Sequence, residues 1–239
     1  MKRTVGVIGG MGPEATVDLF AKILRATPAA CDQDHLRIII DSNSAVPDRT
    51  AAIEGRGPDP TFELIQTAQN LERAGAELLV MPCNTAHYFY PAIRAAVQIP
   101  VLHMIEETVR HIRSLFPSGT VTGLLATEGT VRSKLYRRAA EKSGLALIEP
   151  DAIHQKLVTE SIFGPTGIKA GHYDQPRRHI RRVVEHLAGR GALVVILGCT
   201  ELPLAVHGDE LAVAAVDPGQ ILAAAAVREA LRDDRRAQA

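Results

Sequence analysis

A chain of 239 residues with 46% hydrophobic and 23% charged side chains has enough apolar material for one large core or two small ones, without covalent staples. Its 27 basic and 27 acidic residues cancel, which removes the electrostatic footprint of a nucleic-acid binder or a membrane-surface protein. The first apolar run is broken by Gly9-Gly10, no stretch of about 18 or more apolar residues follows, and three cysteines without a CxxC pair suit a reducing compartment, so a cytoplasmic protein is expected.

In chain order, residues 4–8 read as a strand, and residues 14–25 as a helix with Val17, Phe20 and Leu24 on one face. A strand at 36–40 follows, then a helix at 61–74 stopped by Gly75 and a strand at 77–81 that runs into Pro82-Cys83. After a short helix, residues 99–102 form a fourth strand. The pattern restarts with a strand at 121–126, a helix at 131–142 closed by Gly144, and a strand at 145–148. A helix at 174–188 and a strand at 193–197 ending at Gly198-Cys199 come next, then a strand-like 211–216 and a final helix at 218–232; residues 233–239 are expected to fray. Strands alternating with helices of this length predict an α/β fold with parallel sheets covered on both faces.

The order repeats. Gly6-Val7-Ile8 with Gly12 matches Gly123-Leu124-Leu125 with Gly129 at an offset of 117, and the strand before Cys83 matches the strand before Cys199 at an offset of 116. Two similar domains related by pseudo-symmetry are therefore expected, with the crossover near residues 100–103: residues 1–101 plus 213–239 form the first, and 102–212 the second. Ligands of open α/β sheets sit outside the carboxyl ends of the strands, so domains packed face to face would put both thiols in one cleft.

The turn from Gly9 to Thr16 has three readings. As Gly10-x-Gly12-x-x-Ala15, with Asp41 after the second strand, it satisfies a dinucleotide fingerprint, although Pro13 removes a backbone amide from the phosphate turn. Otherwise the glycines only allow a tight turn, or they expose amides to a small carboxylate at the helix N-terminus. Cys83 and Cys199 each end a strand and precede a helical turn, a setting that stabilises a thiolate. Cys31 has no such setting and reads as a small buried hydrophobe. A metal would have Cys83, His87 and Cys199 as ligands but no evident fourth. Arg49 and Lys169 lie in loops and could grip a carboxylate, although a lone surface cation is ordinarily solvated. His103 and Glu106 read as a satisfied buried pair.

The segments Gly9-Gly10-Met11-Gly12-Pro13-Glu14-Ala15-Thr16, Pro47-Asp48-Arg49-Thr50, Pro82-Cys83-Asn84-Thr85-Ala86-His87, Leu125-Ala126-Thr127-Glu128-Gly129-Thr130 and Gly198-Cys199-Thr200-Glu201 resemble the cofactor-independent aspartate/glutamate racemase family, over nearly the whole chain. The resemblance implies two α/β domains with the active site between them, no pyridoxal phosphate or other cofactor, no metal, and a homodimer. Carried over, Cys83 and Cys199 match the catalytic cysteines, and Asn84, Thr85 and Thr200 match positions that hold the substrate. Arg49 and Lys169 match the cations that bind the distal carboxylate of a small acidic amino acid, while Met11 and Thr127 are expected to line the site. Two enzymes compete with this expectation, a malonate-type decarboxylase needing one thiol and a dinucleotide-dependent oxidoreductase. A plain amino-acid-binding module is the non-enzymatic alternative.

Overall fold

The computed structural model describes residues 2–232, so the expected frayed segment at 233–239 lies outside the described residues. The first half runs β1 (Val5–Gly9), α1 (Pro13–Ala26), β2 (Ile38–Ser42), α2 (Arg49–Ile53), α3 (Thr61–Arg73), β3 (Leu78–Val80) and α4 (Tyr90–Ala95). Helix α5 (Met104–Leu115) leads into β4 (Val121–Leu125), α6 (Glu128–Ser133), α7 (Leu135–Lys142), β5 (Ala146–Ile148) and α8 (Ala152–Phe163). The second half continues with α9 (Asp174–Gly189), β6 (Val194–Leu197), α10 (Leu202–Ala205) and β7 (Ala214–Val216), and α11 (Pro218–Ala230) closes the chain.

Among the described residues every strand pairing is parallel, in two sheets ordered β2-β1-β3 and β5-β4-β6-β7. Strands β1, β3 and β6 are buried along their whole length, as a sheet covered on both faces requires. The repeat extends to register. Gly6 pairs with Leu79, which bridges to Val101; Gly123 pairs with Val195, which pairs with Ala215. The fourth strand expected at 99–102 is that single bridge, and β7 is its fuller counterpart. Gly6 and Gly123 are glycine for one steric reason: a Cβ would fall 2.6 Å from Leu79 in the first and 2.9 Å from Leu187 in the second.

Four expectations are corrected. Helix α1 buries Ala15, Leu19 and Ile23, not Val17, which is 67% exposed, because α11 supplies Leu222, Ala223 and Ala226 to that stripe. The helix expected at 131–142 is broken at Lys134, whose φ of 56° is left-handed, and its first piece starts earlier because Thr127 caps it. Arg49 is not in a loop but opens α2, which Asp48 caps through Ala51 N–H. Strand β7 pairs with β6, so the stretch from 213 belongs with the second sheet, and the return to the first begins only with α11, which packs on α1 and α5. Among the described residues, no helix is long and apolar enough to cross a membrane.

Candidate active site

Strand β3 ends three residues before Cys83, and β6 two residues before Cys199. Both thiols line one cavity at the carboxyl ends of the central strands, together with Met11, Arg49, Asn84, Thr85, Thr127, Lys169 and Thr200. Each residue singled out for the site therefore reaches the same cavity. Its free space is about 20 Å³, room for roughly one water, so an amino acid enters only if the walls part.

The two halves meet at the equivalent glycines of the repeat. A Cβ on Gly12 would lie 3.2 Å from both Glu201 Oε1 and Lys169 Nζ, and one on Gly129 would lie 2.7 Å from Thr50 Oγ1. Side-chain hydrogen bonds cross the same seam. Thr85 Oγ1 sits 2.9 Å from Thr127 Oγ1 and 2.8 Å from Thr130 Oγ1, and the Thr200 hydroxyl donates to Pro82 O at 3.2 Å.

Two residues of the cavity lining each carry a buried donor without an acceptor. The buried Tyr136 hydroxyl donates to Asn84 Oδ1 at 2.6 Å, which leaves Asn84 Nδ2 buried and unpartnered. Arg49 donates through Nη1 to Val46 O and Pro47 O and through Nη2 to Met11 O, which leaves its Nε buried and unpartnered. An unmade hydrogen bond of this kind costs about 1–3 kcal/mol, so both atoms favour an incoming acceptor.

Glu201, for which the sequence alone predicts no role, is the centre of charge. Its side chain is nearly fully buried; Oε1 accepts from Lys169 Nζ at 2.5 Å and Oε2 from the Cys199 thiol at 3.0 Å. Burial, then the Glu201 charge and its hydrogen bond, push the Cys199 thiol well above its ordinary value. The expectation that a helix N-terminus would lower it is overturned at Cys199: α10 is a single short turn and a carboxylate stands closer. Burial works against the charge on Lys169, but Glu201 and the two cysteines outweigh it and hold its pKa up. The other missed residues are Asp48, Thr50 and Phe163, which line the cavity, and Tyr136, which orients Asn84.

Three further readings fail on geometry. His87 cannot join Cys83 and Cys199 around a metal, because its Nδ1 pairs with Cys83 O at 2.8 Å and its Nε2 accepts from Met104 N at 3.0 Å. The glycine turn has no berth for a pyrophosphate: the space beside Gly10 is filled by the Asn43 backbone, and the carboxylate facing Gly12 is the protein's own Glu201. His103 and Glu106 are not a buried pair, since Glu106 is exposed and His103 caps α5. Cys31 is exposed rather than buried. Away from the cavity, Asp151, His154 and His186 cluster, but the imidazoles stack face to face at 3.8 Å and Arg190 Nη1 lies 3.5 Å from His186 Nε2, an arrangement unsuited to a cation.

The sequence profile of the Asp/Glu/Hydantoin racemase family matches residues 8–226. The broad specificity amino-acid racemase RacX of Bacillus subtilis is 26% identical over 229 residues, covering 93% of this chain and 96% of that protein. A glutamate racemase of Geobacter metallireducens is 32% identical over 145 residues, which cover 59% of this chain and 50% of that one. The solved structure of Picrophilus torridus aspartate racemase superposes with a TM-score of 0.85 at 29% identity, covering 95% of this chain and 94% of that one.

Proposed function

Since the chain belongs to the Asp/Glu/Hydantoin racemase family, we propose that it interconverts the enantiomers of an acidic amino acid, aspartate or glutamate, by proton transfer between Cys83, Cα and Cys199. The observation that carries this reading is one small cavity walled by a thiol from each half of a structural repeat. Racemisation must remove the Cα proton from one face and return one to the other, and two groups on opposite walls do this without moving.

Cys199 rests as a thiol donating to Glu201, so it starts as the acid and Cys83 as the base; the roles exchange for the other enantiomer. Charge developing on the α-carboxylate as Cα loses its proton is met by Asn84 Nδ2, with Thr85 and Thr200 beside it. Arg49 Nε and Lys169 take the side-chain carboxylate, which in the case of Lys169 means sharing an ammonium already paired with Glu201. The chemistry needs no pyridoxal phosphate and no metal, because both acid-base groups are side chains of the chain itself. We assign the protein to the cytoplasm and to a homodimer on the same family reading.

The test is chiral chromatography of L-aspartate and L-glutamate incubated with purified protein after dialysis against chelator. Accumulation of the D-enantiomer, lost in both Cys83→Ala and Cys199→Ala, is the expected result. Activity restored only by zinc or pyridoxal phosphate would overturn it, as would a single-cysteine variant racemising at the wild-type rate.

A further inference from the structure

His87, four residues after the cavity cysteine Cys83, is a fully buried imidazole that takes no part in the chemistry above, and both its nitrogens are committed. Met104 N–H donates to Nε2 at 3.0 Å, so the ring proton is on Nδ1, which donates to Cys83 O at 2.8 Å. Met104 is the first residue of α5, whose leading amides have no acceptor within the helix. One neutral ring thus joins the carbonyl of a cavity cysteine to the start of the helix that links the two halves. His103 and Tyr90 pack beside it and against each other, with ring centroids 4.8 and 6.1 Å from His87 and 4.5 Å from one another.

We propose that His87 is a positioning residue for Cys83, acting through the Cys83 carbonyl. The Cys83–Asn84 peptide is planar, so fixing its C=O fixes the plane and turns the Asn84 N–H to the side away from the imidazole. The same constraint sets where Cys83 Cα stands, and with it the direction of the thiol. The second half offers no counterpart: the residue four after Cys199 is Pro203, and Glu201 instead touches the sulfur itself. The repeat therefore holds its two thiols differently, one through its backbone from an imidazole and one directly from a carboxylate.

The inference rests on the two-thiol reading for its activity arm, and a second arm is independent of activity. Two variants separate the two nitrogens: His87→Asn keeps a donor at the δ position and can still hold Cys83 O, whereas His87→Gln keeps an acceptor at the ε position and can still hold Met104 N–H. In a Cys199→Ala background, with Cys31 also replaced by Ser, the rate at which iodoacetamide alkylates Cys83 should rise about tenfold for His87→Gln, the scale of one lost hydrogen bond, and change little for His87→Asn. Equal rates in the two variants would overturn the proposal whatever the enzyme's substrate.

The activity arm uses aspartate carrying chlorine at Cβ. A thiolate takes the Cα proton, the electron pair forms the Cα–Cβ double bond and chloride leaves, so only one thiol is needed. Elimination from the enantiomer that Cys199→Ala still accepts should fall about tenfold in His87→Gln, while elimination from its mirror image stays within about threefold of wild type. Equal losses on both enantiomers would make His87 a general structural residue. Wild-type protein eliminating from neither enantiomer would instead overturn the two-thiol reading, with the alkylation result still deciding the role of His87.

Discussion

The Tyr136 hydroxyl, in the second half, donates to Asn84 Oδ1, in the first, at 2.6 Å, and this bond decides which end of the amide is left for a ligand. Oδ1 is occupied, so Nδ2 is the buried donor without a partner. Tyr136→Phe keeps the ring but frees the amide to turn. The expected outcome is a fall in kcat of about tenfold, matching one hydrogen bond of about 1–1.5 kcal/mol, with little change in melting temperature. Steady-state racemisation and thermal unfolding check this; unchanged kcat would mean that Asn84 is oriented by something else.

Glu201 sets the proton affinity of Cys199. Burial raises that thiol first and the carboxylate second, so Glu201→Gln should bring its pKa down, with Lys169 still nearby to favour the thiolate. Alkylation of Cys199 at pH 8, followed in a Cys83→Ala background with Cys31 also replaced, should quicken about three- to fourfold for each unit of pKa lowered, the gain in thiolate fraction being partly offset by the weaker nucleophilicity of a less basic thiolate. The alkaline limb of the wild-type racemisation profile should also lie at higher pH than that of Glu201→Gln. An alkaline limb that moves upward in the variant would rule out this assignment.

Acid stability should carry the signature of His87. Burial, with His103 next to it, lowers its pKa from 6.5 to about 3, so between these values the unfolded chain binds a proton that the folded chain refuses. Stability from this group is complete above pH 6.5 and is lost as pH falls toward about 3, at up to roughly 1.4 kcal/mol per pH unit. His103, also lowered by burial, adds to the same slope. Urea midpoints at pH 7 and pH 5 should therefore differ by less in His87→Gln than in wild type, and an equal difference would show His87 to be protonated in the fold.

The sheets and the cavity were legible in the sequence because strand ends and glycine turns are local signals that the repeat wrote twice. Gly6 and Gly123 announce the same steric event, and the cysteines mark the same strand end. What was missed depends on contacts across the seam. Nothing near Val17 in sequence says that α11 covers the Ala15, Leu19, Ile23 stripe instead. Helix α8 is not legible from periodicity because Ile153 and Phe163 are 71% and 44% exposed, which blurs its apolar period, although Asp151 before it is a cap signal. Glu201 reads as an ordinary acidic residue until Lys169, 32 positions away, is seen against it.

Specificity for a side-chain carboxylate should separate from turnover. Arg49→Met and Lys169→Met each remove a charged donor worth about 1.5–3 kcal/mol, so kcat/KM for aspartate should drop roughly tenfold to more than a hundredfold while any slow alanine turnover changes little. Lys169→Met also strands Glu201, so it is best compared with the Lys169→Met, Glu201→Gln double variant. Equal losses on both substrates would move these cations to the α-carboxylate.

The division of labour between the thiols predicts where solvent hydrogen goes. In deuterated water each conversion should install deuterium at Cα of the product, because the donating thiol exchanges with solvent, while unreacted starting enantiomer stays largely unlabelled early in the reaction. Abstraction and return by a single group would put label into the starting enantiomer as fast as into the product. Cys199 begins as the protonated partner of Glu201, so Glu201→Gln, which weakens its hold on that proton, should lower the pH above which labelled-product formation falls off, without adding label to the remaining substrate. Mass spectrometry of both enantiomers after chiral separation reads each quantity directly. Label appearing equally in both from the first turnovers would contradict two thiols on opposite faces, and with it the use of the repeat proposed here.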